Sequence, residues 1–344
     1  MRVANRRAAL RLLVTITLAA ACDRDPATPP GSPPGPSLAD GLWTSSTYAP
    51  ALLRLEPVQL DTSALLTAAT TITTSSATLS ALNSVAFAAD GTMWVASEDD
   101  SRLLGFAASS LASSGERAAT VVISSAGGSI ALPTGLAFDR GHGLWVANYG
   151  NGTLARFSAA QLAAGGTPAP EVVLSGLMNP TALAFDADGA LWVSDIQAGT
   201  ISRFAPSQLA ASGSPAPSRV LRGSPGTLDR PSGLAFDASG RLWVGTAEQR
   251  TIVAFGPARL SAGGTAEPDI VLSSGEGSLM WPVGLAFDAS GALWVANVSS
   301  LEKLDPPALA QSGAPRPAAR LQLRDNVLFW GAAFWPRPAG LPLN

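Results

Sequence analysis

The sequence predicts an all-β fold, a six-bladed β-propeller of four-stranded blades, on three observations. Trp43, Trp94, Trp145, Trp192, Trp243 and Trp294 recur at intervals of 51, 51, 47, 51 and 51 residues. In five copies a phenylalanine stands seven residues before the Trp, at Phe87, Phe138, Phe185, Phe236 and Phe287. The two ends of the chain carry complementary fragments of the repeat. Similarity at a fixed period of about 50 residues marks units that cannot bury their apolar surface alone and must stack on their neighbours.

Each element follows from the local sequence. Strand A is the run P-T-G-L-A-F at Pro133, closed by a turn that opens on Asp, a residue that folds back on its own backbone, with a later residue suited to positive φ. Strand B is L-W-V-A-N, apolar until its last residue, so both faces of the sheet must be covered, as radial stacking provides. Strand C is T-L-A-R-F and strand D is E-V-V-L after Pro170. Between C and D, S-A-A-Q-L-A-A-G-G from Ser158 supplies a cap for one helical turn and glycines to end it. The register is constant: Leu55, Phe106, Phe157, Phe204 and Phe255 lie twelve residues after the Trp, and Leu60, Leu111, Leu162, Leu209 and Leu260 lie seventeen after. The last copy, with Leu304 and Leu309, is two residues shorter between B and C.

The N-terminal piece from Leu42 has strands B and C but no A before them. The C-terminal piece W-G-A-A-F-W from Trp330 is a strand A with no B after it. Pairing the two in one blade closes the ring and leaves no terminal repeat with an open face.

The pattern P-x-G-L-A-F-D-x-x-G-x-L-W-V-A-N resembles that of NHL-type propellers and the wider gluconolactonase-like group, from about Leu42 to Trp335. The resemblance implies a six-bladed propeller and leaves activity open, because the group holds both enzymes and binding scaffolds. Its enzymes imply a divalent metal at the channel mouth, held by a Glu, an Asn and an Asp drawn largely from the starts of inner strands. Four residues before each strand-A Phe this chain offers Asn83, Thr134, Thr181, Ser232, Val283 and Trp330, of which only Asn83 matches. The expectation is therefore no metal and no cofactor.

The chain divides into a lipoprotein signal peptide (1–22), a proline-rich tether (23–40) and the propeller (41–344). Arg2, Arg6, Arg7 and Arg11 precede a ten-residue apolar run, Leu12 to Ala21, too short to span a bilayer. It ends in L-A-A-A-C, which resembles a bacterial lipoprotein signal and makes Cys22, the only cysteine, the lipid attachment site. The tether D-R-D-P-A-T-P-P-G-S-P-P-G-P-S would stand off from a membrane as a semi-rigid spacer. An extracytoplasmic protein of the bacterial cell envelope is expected, touching the membrane through its lipid alone. Losing residues 1–22 removes four of 22 basic side chains and none of 25 acids, leaving 18 against 25, net −7. That balance argues against nucleic acid as a partner. A monomer is expected.

In such blades the B–C and D–A connections open on one face, around the central channel, where propellers usually act. The residue ending strand B there is Ser46, Ser97, Asn148, Asp195, Thr246 or Asn297, with Glu98, Tyr149 and Glu248 beside them. These residues either cap strand ends or form a ring of short polar groups for a sugar or peptide. The segments S-S-G-E-G-S-L-M-W-P and N-V-L-F-W bring Met280, Trp281, Phe329 and Trp330 to the same face, either to recognise a ligand or to plug the channel. The one histidine, His142, lies in an A–B turn on the opposite face, and D-A-D-G at Asp186 reads as a hairpin turn, so no catalytic triad can be assembled. The reading is a non-catalytic binding or scaffold module for a protein or carbohydrate ligand, with a hydrolase or lyase of the lactonase-like group as the alternative.

Overall fold

The structure, a computed structural model, describes residues 40–46, 51–61, 63–73, 81–224, 226–274, 279–324, 329–339 and 341. The expected signal peptide, Cys22 and all but the last residue of the expected tether lie outside them. The chain divides into two units, 1–35 and 36–344, and the second holds the propeller.

Six antiparallel sheets surround one channel, each built in the order A-B-C-D from inside to outside. The innermost strands of blades 2 to 6 are Leu82–Phe87, Pro133–Phe138, Pro180–Phe185, Pro231–Phe236 and Pro282–Phe287. In blade 1 the innermost strand is C-terminal: Phe329–Trp335 pairs with strand B, Gly41–Ser46, with Leu42 opposite Phe334 and Trp43 opposite Ala333. The chain thus closes its ring by pairing its two ends.

The repeated aromatics explain why the closure is stable. The Trp of one blade meets the strand-A Phe of the next edge to face, Trp192 on Phe236 at 6.1 Å and Trp243 on Phe287 at 6.2 Å. The closing contacts have the same geometry, Trp294 on Phe334 at 6.4 Å and Trp43 on Phe87 at 6.3 Å. Strand B is buried along its whole length in each blade, as its unbroken apolar run requires.

The turn after strand A is more than a turn. In blade 4, Asp186 Oδ1 accepts the N–H groups of Asp188 and Ala190, while Oδ2 accepts the indole N–H of Trp192 at 2.9 Å. Asp139, Asp237 and Asp288 hold Trp145, Trp243 and Trp294 in the same way. One carboxylate therefore fixes a hairpin and satisfies a buried donor that would otherwise have none. Blade 2 has Ala88 in place of the Asp and blade 1 has Trp335. Accordingly the Trp43 Nε1 is buried without a partner.

The fourth position of this turn is left-handed, with φ of 82° at Gly91, 80° at Gly189, 77° at Gly240 and 81° at Gly291. In blade 3 the residue there is His142, at φ 60°. A side chain in that region costs about 1–2 kcal/mol, so His142→Gly should raise stability by roughly 1 kcal/mol. Urea denaturation of the two proteins checks this.

Each blade has more than the expected four strands' worth of pairing at its rim. The helical turn forms in every copy, as an α-helix at Ala159–Ala164 and Pro257–Ala262 and as a 3-10 turn in the other four. The chain then leaves it beside strand D of the preceding blade and pairs with it in parallel. Ile72 meets Gly115, Ile123 Gly166, Leu174 Gly213, Leu221 Gly264, Leu272 Gly313 and, across the closure, Leu321 Ala64. Where a serine comes just before, its hydroxyl accepts a further N–H of the neighbouring strand: Ser114 from Thr71, Ser212 from Val173, Ser312 from Val271 and Ser63 from Arg320. The outer edge of every sheet is thereby partly covered, which removes a template for edge-to-edge association. The motif L-A-x-S-G or L-x-A-G-G carries this contact, and its helix-ending role hid it from the sequence reading.

Candidate functional site

The channel runs between the six A strands. Its width is set by glycine at the third position of four of them: a Cβ at Gly135 would lie 2.4 Å from the Thr181 carbonyl oxygen of the next A strand, and one at Gly284 would lie 2.6 Å from that of Trp330. Hydroxyls one residue earlier stitch the same seam, with Thr134 donating to the Pro180 carbonyl at 3.1 Å and Ser232 to that of Pro282 at 2.6 Å. At this position of strand A, Thr134, Thr181 and Ser232 therefore join neighbouring blades. Among the described residues no three His, Cys, Asp or Glu side chains come together as a metal site.

A cavity of about 330 Å³ occupies the channel. At the face where strands A begin it is lined by Asn83, Glu98, Tyr149, Arg230, Trp281 and Trp330. Its walls are apolar below, through Val85, Leu136, Leu183, Leu234 and Leu285. At the far end Arg337, Pro338 and Leu341 of the C-terminal tail line it beside Phe287 and Phe334.

The two sets of expected site residues separate sharply. Ser46, Ser97, Asn148, Asp195, Thr246 and Asn297 are buried and do not line the cavity. Asp195 accepts the N–H groups of Met178, Asn179 and Ala198, and Asn297 accepts those of Met280 and Trp281. Asn148 accepts from Ala131 and donates to the Ser129 carbonyl and the Thr153 hydroxyl. Thr246 bonds to Thr251, and Ser97 donates to Asp100. Five of the six therefore bond within the loops or strand ends around them, and Asp195, Asn148 and Asn297 shape the D–A loops of the mouth. Ser46 Oγ is buried with no partner. Glu248 is exposed and stands apart from the cavity.

Glu98, Tyr149, Trp281 and Trp330 do reach the cavity. Glu98 and Tyr149 follow strand B, where their backbone N–H groups bond to the carbonyls of Ala81 and Leu132 and lock the B–C loop to the D–A loop. Trp281 and Trp330 stand side by side with ring centres 6.3 Å apart, Trp281 being 39% exposed. They flank the opening and leave the cavity open. Met280 is also exposed, whereas Phe329 turns inward to pack with Leu42, Leu53 and Trp294, so it is no part of the surface.

Asn83 and Arg230 complete the mouth. Asn83 Nδ2 donates to Glu98 Oε2 at 2.6 Å. Burial pushes the Glu98 carboxyl above the ordinary carboxylate range; the Asn83 hydrogen bond opposes this and the nearby Asp99 charge adds to it. Arg230 sits at φ 53° in the residue before strand A, the place held by Ala81 at 48° and Leu132 at 45°. Non-glycine residues in this region are strained, and such strain gathers at ligand sites. Nothing in the sequence marks Arg230, although the residue before strand A carries no charge in the other copies.

No protein-family profile matches this sequence, and no curated protein does. Solved structures do resemble it. The nidogen/laminin complex is similar with TM-score 0.62 and 16% identity, covering 88% of this chain and 100% of that one. A putative 6-phosphogluconolactonase from Bacteroides uniformis is similar with TM-score 0.53 and 18% identity, covering 78% and 80%. A catalytically inactive virginiamycin B lyase from Staphylococcus aureus, solved with quinupristin, is similar with TM-score 0.51 and 12% identity, covering 78% and 82%. In fold, this chain is a six-bladed propeller like those of binding proteins, lactonase-like proteins and a lyase alike.

Proposed function

We propose that this chain is a non-catalytic binding module of the bacterial cell envelope, taking a protein or carbohydrate ligand at the channel mouth. The observation that carries it is the Trp281–Trp330 pair, with Trp281 39% exposed, beside an open cavity. Aromatic surface that stays wet in a monomer costs free energy and is the usual anchor of a recognition site. Among the described residues that line the cavity, Glu98 is the one carboxylate and no histidine stands with it, so these residues offer no carboxylate or imidazole partner for two-group acid–base chemistry. The test is indole fluorescence against a panel of oligosaccharides and peptides. Trp281→Ala and Trp330→Ala should each weaken whatever binds, and a panel in which no response depends on either Trp rejects the reading.

The rival reading, a hydrolase or lyase, is supported by Glu98, because a carboxyl held protonated to higher pH is a general acid in waiting. Turnover of a lactone or ester, lost in Glu98→Gln, would establish it.

We also propose anchoring through a lipid on Cys22. Wild-type protein should then partition with membranes and Cys22→Ser should not, since each buried methylene contributes about 0.8 kcal/mol. Wild-type protein recovered wholly soluble and without lipid rejects this.

A further inference from the structure

The mouth has a polar axis and an apolar one. The A strands neighbour one another in the order of blades 1 to 6 and back to 1. Glu98 belongs to blade 2 and Arg230 to the loop entering blade 5, three places round a ring of six, so the acid and the base face each other across the channel. Across the other diameter, Trp281 and Trp330 of blades 6 and 1 face Tyr149 and Ile196 of blades 3 and 4. Glu98 is bonded to Asn83, and the Arg230 guanidinium forms no hydrogen bond or ion pair among the described residues, while its backbone carbonyl accepts from Ala247. The two charges are thus set apart on opposite walls, and the other described side chains that line this end of the cavity are neutral.

We propose that the ligand is a short peptide with free termini and an apolar side chain, its ammonium on Glu98 and Asn83, its carboxylate on Arg230, and its side chain against Trp281 and Trp330. This rests on the mouth-binding reading above and names its ligand. A molecule with one charge of each sign at its ends satisfies both walls at once, and charge-assisted bonds are the stronger kind. Length follows from the ring. Neighbouring inner strands cannot approach closer than about 4.7 Å, so opposite ones in a hexagon are at least about 9 Å apart. One or two residues are shorter than this, whereas three extended residues, at roughly 3.3–3.6 Å each, span it.

The experiment titrates the full-length protein by calorimetry with the tripeptide alanyl-leucyl-alanine, its N-acetyl form, its C-terminal amide and the doubly blocked form. Free leucine, a dipeptide and a pentapeptide with free termini give the length series. The unblocked tripeptide should bind best, and each block should weaken it about tenfold, the size of one charged hydrogen bond. In Glu98→Gln the N-acetyl block should lose its effect while the amide block keeps it, and in Arg230→Gln the reverse should hold. Neither pattern arises from a folding defect. Asp188→Asn, an exposed turn residue away from the channel, should behave as wild type. Equal binding of blocked and unblocked peptides, or sensitivity to a block that persists in its matching variant, overturns the proposal. Should no peptide bind while saccharides still give a Trp281-dependent response, the peptide ligand is wrong and the mouth-binding reading stands. If nothing depends on Trp281 or Trp330, both fall.

Discussion

Deletion of residues 326–344 should unfold the protein or drive it to aggregate. The strand Phe329–Trp335 is the innermost of blade 1, and with it go Phe334, which covers Trp294, and Trp335, which packs on Phe87. Both neighbouring blades therefore lose apolar cover together. The single-residue counterpart is Trp43→Ala, at a side chain that is fully buried and for which truncation costs about 3–5 kcal/mol. Trp243→Ala should cost a comparable amount, since both rings make the same contact with the next blade's Phe. Guanidinium denaturation of the two variants side by side is the measurement. A silent Trp43→Ala together with a harmless deletion would mean that blade 1 contributes nothing to the fold.

The second large effect is expected at Asp237→Ala. Its carboxylate accepts the N–H groups of Ser239 and Arg241 and the indole N–H of the buried Trp243. Removing it leaves the indole donor buried and unpaired, at about 1–3 kcal/mol, and gives up two hydrogen bonds to a charged acceptor in the turn. A total of roughly 3 kcal/mol is expected. Trp243→Phe in the Asp237→Ala background should then recover part of the loss, because no donor remains to satisfy. In blade 1 the same change, Trp43→Phe, should cost less than Trp243→Phe in the wild type, because the Trp43 indole has no partner to lose. Equal costs at the two sites would show that the carboxylate contributes nothing to holding the ring.

The contrast between those two tryptophans shows what the residues determine alone. Trp43 and Trp243 occupy the same register in their copies, and period, register and the complementary half-blades were enough to specify six blades and the strand that closes them. They sufficed because each side chain has one role in the repeat: an apolar residue at a fixed offset can be buried only if the neighbouring copy covers it. The rim contacts of Ser114, Ser212 and Ser312 were not legible, because a serine or glycine after a helical turn has a sufficient local explanation, and its second partner sits about 40 residues away on another blade. The site divided in the same way. Asn148, Asp195 and Asn297 lie on the correct face, but polar residues at strand ends look alike whether they hold a ligand or the backbone, and here the D–A loops use them. Trp281, Trp330, Glu98 and Tyr149 could be placed at the mouth because register alone carries them there. Arg230 could not be singled out, and Asn83 stood out only against a metal pattern and not as the partner of Glu98: what gives them meaning is the ring, which sets an arginine of one blade opposite a glutamate about 130 residues away and leaves open space between them. Burial, pairing and distance across a channel are properties of the closed circle, and no single repeat contains them.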